Sequence, residues 1–117
     1  MAKKAQKMRS VIRVGVVGVG RGQSFMRSAA VTGMKLVAIC DTWEERLKAV
    51  GEQQGVATFT EFDEMLDCGI DAVVLANYFH EHAPMAVKAL KAGVHVMSEC
   101  AACHTLAEGV ELTRTVE

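Results

Sequence analysis

The sequence has one proline and no long apolar run. No stretch approaches the ~18 consecutive apolar residues of a membrane-spanning helix, so no membrane partner is expected. The basic start "MAKKAQKMRS" leads into "VIRVGVVGVG", which Arg13 and Gly15 interrupt and which carries no cleavage pattern. No secretory signal peptide is therefore expected, residues 1–10 read as a basic flexible tail, and the expected location is cytoplasmic. An excess of charge is also lacking. Thirteen Lys and Arg against 14 Asp and Glu leave a formal net charge of −1, which gives no pull toward nucleic acid.

What is present suits one globular domain. Half of the 117 residues are hydrophobic and 23% are charged. Ten glycines mark tight turns. The cysteines at 40, 68, 100 and 103, in a chain without an export signal, are expected to be reduced thiols.

Short runs rich in β-branched residues recur: "VIRVGVV" (11–17), "KLVAIC" (35–40), the weaker "VATF" (56–59), "DAVVLA" (71–76) and "VHVMS" (94–98). Their near-continuous hydrophobicity predicts strands covered on both faces. Helical patterns lie between and after them, over 22–33, 42–55, 60–69, 82–93 and 105–117. Thr42 with Glu45, and Thr105 with Glu108, have capping-box spacing. In the fourth helix, Met85, Val87 and Leu90 are expected to face a core, with Pro84 in the first turn and Gly93 as C-cap. Strand and helix alternating five times predict an α/β fold, a doubly wound parallel sheet of Rossmann-like order 3-2-1-4-5. There is no sixth strand. Residues 11–117 are thus expected to form a dinucleotide-binding domain cut from a longer protein, without a C-terminal substrate domain. The last strand would leave an open edge, through which a homo-oligomer is expected.

The most informative stretch is "VGVVGVGRGQSF". Gly18 and Gly20 directly follow the first strand and open a helix. The first allows a tight turn, and the second lets the backbone approach a pyrophosphate. The helix N-terminus adds free N–H groups and a positive dipole end. The third glycine position of G-x-G-x-x-G holds Gln23, although Gly22 keeps the loop slim. Asp41 ends the second strand about 20 positions on, where a carboxylate accepts hydrogen bonds from ribose hydroxyls and repels a 2′-phosphate. NAD is expected over NADP. The cofactor loop is Gly18, Val19, Gly20, Arg21, Gly22 and Gln23. Arg46 reads as a solvated helix-face residue.

With these residues, the chain resembles the Gfo/Idh/MocA oxidoreductases, the group of glucose–fructose oxidoreductase and inositol dehydrogenase. "IRVGVVGVGRG", "LVAICDTWEERL", "DAVVLANYFHEHAPMAVKALKAGVHVMSE" and "TLAEGVEL" carry the resemblance. It implies that Asn77, Tyr78 and Phe79 stand where the family has a T-P-N turn beside the nicotinamide half of NAD. Asn77 and Tyr78 are then cofactor-side residues. His82 matches the histidine opening the next helix, where it either faces the cofactor cleft or makes a backbone hydrogen bond. The family's E-K-P after strand five corresponds to Glu99, Cys100 and Ala101, with Glu99 and Cys100 beside the nicotinamide ribose.

Cys100 stands in place of the acid/base lysine. A lysine shuttles a proton while its positive charge lowers the pKa of a bound alcohol. A thiol becomes negative on losing its proton and opposes an alkoxide. The catalytic residues are therefore unknown from sequence. "CAACH" also matches haem-attachment, redox C-x-x-C and metal-ligand spellings. Its place at a strand-five turn favours a small-residue turn beside the nicotinamide pocket instead, and no metal is expected.

Three functions follow. The resemblance implies the NAD-binding domain of an enzyme acting on a sugar or polyol by hydride transfer, inactive as an isolated domain. "RGQ" resembles the branch that hydrolyses glycosides with tightly held NAD. Cys100 also suits a nucleotide-binding module without catalysis.

Overall fold

Alternation along the first strand, β1 (Ile12–Val17), sets the layers. Val14 and Val16 point into one apolar cluster, while Val17 joins the other on the opposite face, as a period of two requires. The computed structural model describes residues 11–117, and the basic tail expected at 1–10 lies outside the described residues. After β1 come α1 (Gln23–Ala29), β2 (Met34–Cys40), α2 (Glu44–Gln54), β3 (Ala57–Phe59) and α3 (Phe62–Leu66). The second half holds β4 (Ala72–Leu75), a 3₁₀ turn over Phe79–Glu81, α4 (His82–Lys91), β5 (His95–Ser98) and α5 (Leu106–Val116).

The sheet is parallel, in the order β3-β2-β1-β4-β5. This is the order expected from the strand–helix alternation. β1 is central, between β2 and β4, so the turn after it opens at the switch point where consecutive crossovers pass to opposite faces. Val14, Val16, Val19, Met26, Ile39, Leu47, Val50 and Val74 form the core on the α1 and α2 side. Val17, Ala38, Cys40, Phe62, Met65, Val73, Leu75, Ala86 and Ala89 form the larger core on the α3 and α4 side. Among the described residues no helix is long and apolar enough to cross a membrane.

Two local expectations are corrected. α2 begins at Glu44, one residue after an uncapped Trp43, and Thr42 makes no capping box. The Asp41 carboxylate accepts the Trp43 N–H, which orders the turn before the helix without capping it. On α4 Val87 is buried and Met85 packs half-buried against the core as expected, but Leu90 is only half-buried, and Ala83, Ala86 and Ala89 fill the rest of the buried face. Small alanines let the helix backbone approach the sheet, which leaves the longer side chains at the margin. The second box forms as spelled: Thr105 Oγ1 accepts from Glu108 N at 3.1 Å, and Glu108 Oε1 accepts from Thr105 N at 3.1 Å.

Candidate functional site

The β1–α1 turn is built on glycines with different duties. Gly18 has φ +99°, and its N–H donates to Cys40 O at 2.9 Å. A Cβ there would lie 2.6 Å from Ala76 O, so the turn threads between the ends of β2 and β4 with no room for a side chain. A Cβ on Gly22 would overlap Gly18 O and come 2.6 Å from Val16 Cγ1. Close packing of helix on strand thus falls to Gly22, one position before Gln23. Gln23 instead ties the loop by donating Nε2–H to Val19 O at 2.7 Å. A Cβ on Gly20 would meet nothing within 4 Å, so packing within the chain does not require glycine there. Among the described residues, no protein acceptor takes the Gly20 or Arg21 N–H.

Asp41 closes this loop from β2. Its Oδ2 accepts from Val19 N at 2.9 Å and its Oδ1 from Trp43 N at 2.9 Å. The carboxylate therefore points at the glycine turn. Each oxygen has a lone pair left for a further donor. Trp43 is 57% exposed beside it, with the Arg46 guanidinium 5.6 Å over its ring.

On the other side, the turn after β4 brings Asn77 to the same sheet edge. Its Nδ2 donates to Met85 Sδ at 3.2 Å, and its Oδ1 is buried without a hydrogen-bond partner. An acceptor buried without a donor is unfavourable unless something supplies one. Tyr78 is 74% exposed and stacks on His80 at 5.9 Å. Phe79 is half-exposed and leans on His104 at 5.5 Å.

For His82 the structure shows the second of the two expected readings, hydrogen bonding to the backbone. The residue is 1% exposed and does not face an open cleft. Nε2 lies 3.0 Å from Asn77 O, and Nδ1 lies 2.9 Å from Ala101 O and 3.1 Å from Ser98 Oγ. Both ring nitrogens are occupied by the protein, leaving neither to touch a cofactor.

Glu99 follows β5, with its N–H donating to Leu75 O at 2.9 Å. Arg21 Nε donates to Glu99 Oε1 at 3.0 Å, joining the glycine turn to the strand-five turn. That turn includes the cis Cys100–Ala101 peptide and leaves Cys100 exposed. His104 N donates to Glu108 Oε1 at 2.8 Å. Among the described residues, no group of three or more His, Cys, Asp or Glu could hold a metal ion. Burial, reinforced by the negative charges of Asp41 and Glu61, pushes the Cys40 thiol up to about 12.

Gly18 to Gln23, Asp41, Asn77 and Glu99 thus gather along the carboxyl edge around the end of β1. Sequence reasoning missed the Arg21–Glu99 pair and the partners of His82. The first joins distant positions, and the second uses backbone carbonyls, which no residue letter reports.

Comparison with known proteins bears on the family and the fold. Residues 12–117 match the Gfo/Idh/MocA oxidoreductase family, NAD-binding Rossmann fold. The chain is 33% identical to a glycosyl hydrolase family 109 protein of Solibacter usitatus, over 100% of this chain and 30% of that protein. It is 36% identical to inositol 2-dehydrogenase 1 of Saccharopolyspora erythraea, over 75% of this chain and 28% of that protein. It superposes on the WlbA dehydrogenase of Bordetella pertussis, solved with NADH and UDP-GlcNAcA, with a TM-score of 0.83 and 33% identity. That match covers 89% of this chain and 33% of that one. The chain therefore spans about a third of the length of these relatives.

Proposed function

The chain belongs to the Gfo/Idh/MocA oxidoreductase family, with its NAD-binding Rossmann fold, and we propose that it is the cofactor half of an enzyme passing a hydride between NAD and a carbinol carbon of a sugar or polyol. One observation carries the cofactor assignment. The carboxylate suited to a ribose is hydrogen-bonded to Val19 N of the turn suited to a diphosphate, beside open space over Gly20. The orphaned Asn77 Oδ1 fits as well, since it offers an acceptor to the other half of the dinucleotide.

In this reading Gly18, Val19, Gly20, Arg21, Gly22 and Gln23 surround the diphosphate, with the Gly20 and Arg21 N–H groups as donors. Asp41 holds the adenosine ribose and disfavours a 2′-phosphate, so NAD is the cofactor rather than NADP. Asn77 and Glu99 serve the nicotinamide half, and Cys100 lies beside it. Tyr78 stands at the rim, stacked on His80. When bound, NAD supplies a hydride acceptor or donor at its nicotinamide ring.

A second reading comes from the relatives and not from Cys100, because transient oxidation with retained NAD passes through the same alkoxide that Cys100 leaves without a lysine. The Solibacter relative is a glycosyl hydrolase family 109 protein, and glycoside hydrolysis with retained NAD needs no net oxidation. The four free cysteines suit a cytoplasmic setting. β5, with Met97 59% exposed, offers an edge for a second copy.

Titration calorimetry of the chain with NAD, NADP and ADP tests the cofactor assignment. Binding of NAD and ADP, with NADP weaker, supports it. No heat with any of the three overturns it. In a protein that joins this domain to a substrate domain, release of nitrophenol from a nitrophenyl glycoside without NADH formation supports the second reading, and NADH formed from inositol supports the first.

A further inference from the structure

Among the described residues, His82 is the only polar or charged side chain in the buried class. A histidine so placed must have its nitrogens satisfied. Its partners are specific: Asn77 O from the turn after β4, and Ala101 O and Ser98 Oγ from the end of β5 and the turn beyond it. Helix capping does not explain the residue. α4 has no side-chain cap hydrogen bond, and the partners of the imidazole lie outside its own helix.

The donor arithmetic matters. Carbonyl oxygens only accept, and a neutral imidazole donates from one nitrogen. With hydrogen on Nε2, the ring donates to Asn77 O, and Nδ1 accepts from the Ser98 hydroxyl when that hydroxyl turns from Glu99 O, 3.0 Å away. With hydrogen on Nδ1, it donates to Ala101 O. The first form bonds both turns, and the second bonds the strand-five turn and packs against the other. An apolar side chain of similar size would fill the space and hold neither.

We propose that His82 is a positioning residue, whose buried imidazole ties the Asn77 backbone to the Ser98–Ala101 segment and so sets the spacing of the two turns that receive the nicotinamide half of the dinucleotide. This rests on the reading of the cleft as an NAD site. His82 touches no part of the cofactor itself. It acts through Asn77, whose Oδ1 is unpartnered, and through the segment carrying Glu99. The glycine turn and Asp41 share none of its hydrogen bonds. Its influence therefore falls on one end of the ligand.

ADP isolates that end, because it keeps the adenine, ribose and diphosphate and lacks the nicotinamide half. Calorimetry on the full chain would compare NAD and ADP for the native protein, His82→Leu and His82→Gln, with thermal melts confirming that each folds. His82→Leu should weaken NAD about tenfold, as expected for the loss of one or two modest hydrogen bonds, and leave ADP within about twofold. Glutamine keeps a donor and an acceptor, so His82→Gln should recover part of the loss. Ser98→Ala is a milder variant that serves if His82→Leu does not fold, and it should lower NAD affinity and spare ADP. The proposal is overturned if NAD and ADP weaken together, or if a folded His82→Leu binds both as the native chain does. It is also overturned if nitrogen-15 NMR of the native chain shows no hydrogen-bonded ring N–H on His82. A native chain that binds NAD and ADP, with His82→Leu binding both equally well, refutes the positioning role alone. One that binds neither refutes the cofactor assignment with it.

Discussion

Arg21 and Glu99 stand 78 positions apart in the chain, yet the guanidinium Nε donates to the carboxylate Oε1 at 3.0 Å across the carboxyl edge of the sheet. Parallel topology produces the pair. The turn after the central β1 and the turn after the edge strand β5 emerge at the same end, with β4 between them. Both side chains belong to the proposed cofactor cleft, so the pair spans the place where a dinucleotide would lie.

The Arg21 side chain is 67% exposed and that of Glu99 27%, so their attraction is screened and worth about 1 kcal/mol or less to folding. Arg21→Ala should therefore melt within a few degrees of the native chain. Its NAD affinity should fall several-fold, and the weakening of NAD binding by added salt should shrink with the loss of a cation near the diphosphate. Calorimetry at low and high salt checks both. An unchanged salt response would remove Arg21 from the diphosphate site.

Gly20 and Gly22 should fail in opposite ways. Gly22→Ala places a methyl group against Gly18 O and Val16, and should destabilise the fold by at least about 2 kcal/mol in urea titration. Gly20→Ala meets no protein atom within 4 Å and should melt like the native chain while losing NAD binding. A Gly20→Ala variant with full affinity would show that no ligand approaches that position.

Asp41 has a structural and a proposed binding duty. Asp41→Ala strips an acceptor from Val19 N and Trp43 N, which should lower stability by about 1–2 kcal/mol. Asp41→Asn keeps one acceptor oxygen and removes the charge. The native chain should prefer NAD to NADP by about tenfold or more, and Asp41→Asn should narrow that gap. Competitive titration of the two dinucleotides checks it.

The thiols should separate by reactivity. The thiolate is the nucleophile, and burial with nearby negative charge holds Cys40 protonated up to about 12. A thiol reagent should therefore label exposed Cys100 first and Cys40 only on unfolding, with NAD slowing the reaction at Cys100. The linkage has a definite sign. The unfolded thiol ionises near 9.0 and the folded one near 12, so the folded state holds the proton longer. This contribution to stability is present below pH 9.0 and is lost as pH rises toward about 12. Urea unfolding across that range should show stability falling more steeply with pH in the native chain than in Cys40→Ala, where Cys68, also raised by burial, still contributes.

Much of the architecture was legible because its causes are local. β-branched runs in alternation with amphipathic segments predict the strand order, and glycine spacing predicts the turn after β1. The Thr105–Glu108 box formed because both partners lie within one helical turn. The Thr42 box did not form because the helix starts one residue later, with Trp43 at the N-cap position. His82 could be placed at the start of a helix, but not assigned partners.

By itself the order of residues determined the parallel sheet, the glycine turn at its switch point and an acid at the end of β2, since periodicity and spacing along the chain carry that information. Tertiary structure alone decided that Gly22 rather than Gln23 packs helix on strand, that Arg21 meets Glu99, and that His82 is buried between two turns. Those outcomes depend on which carbonyls, amides and side chains the folded sheet brings within about 3 Å, a distance at which separation along the chain has no bearing.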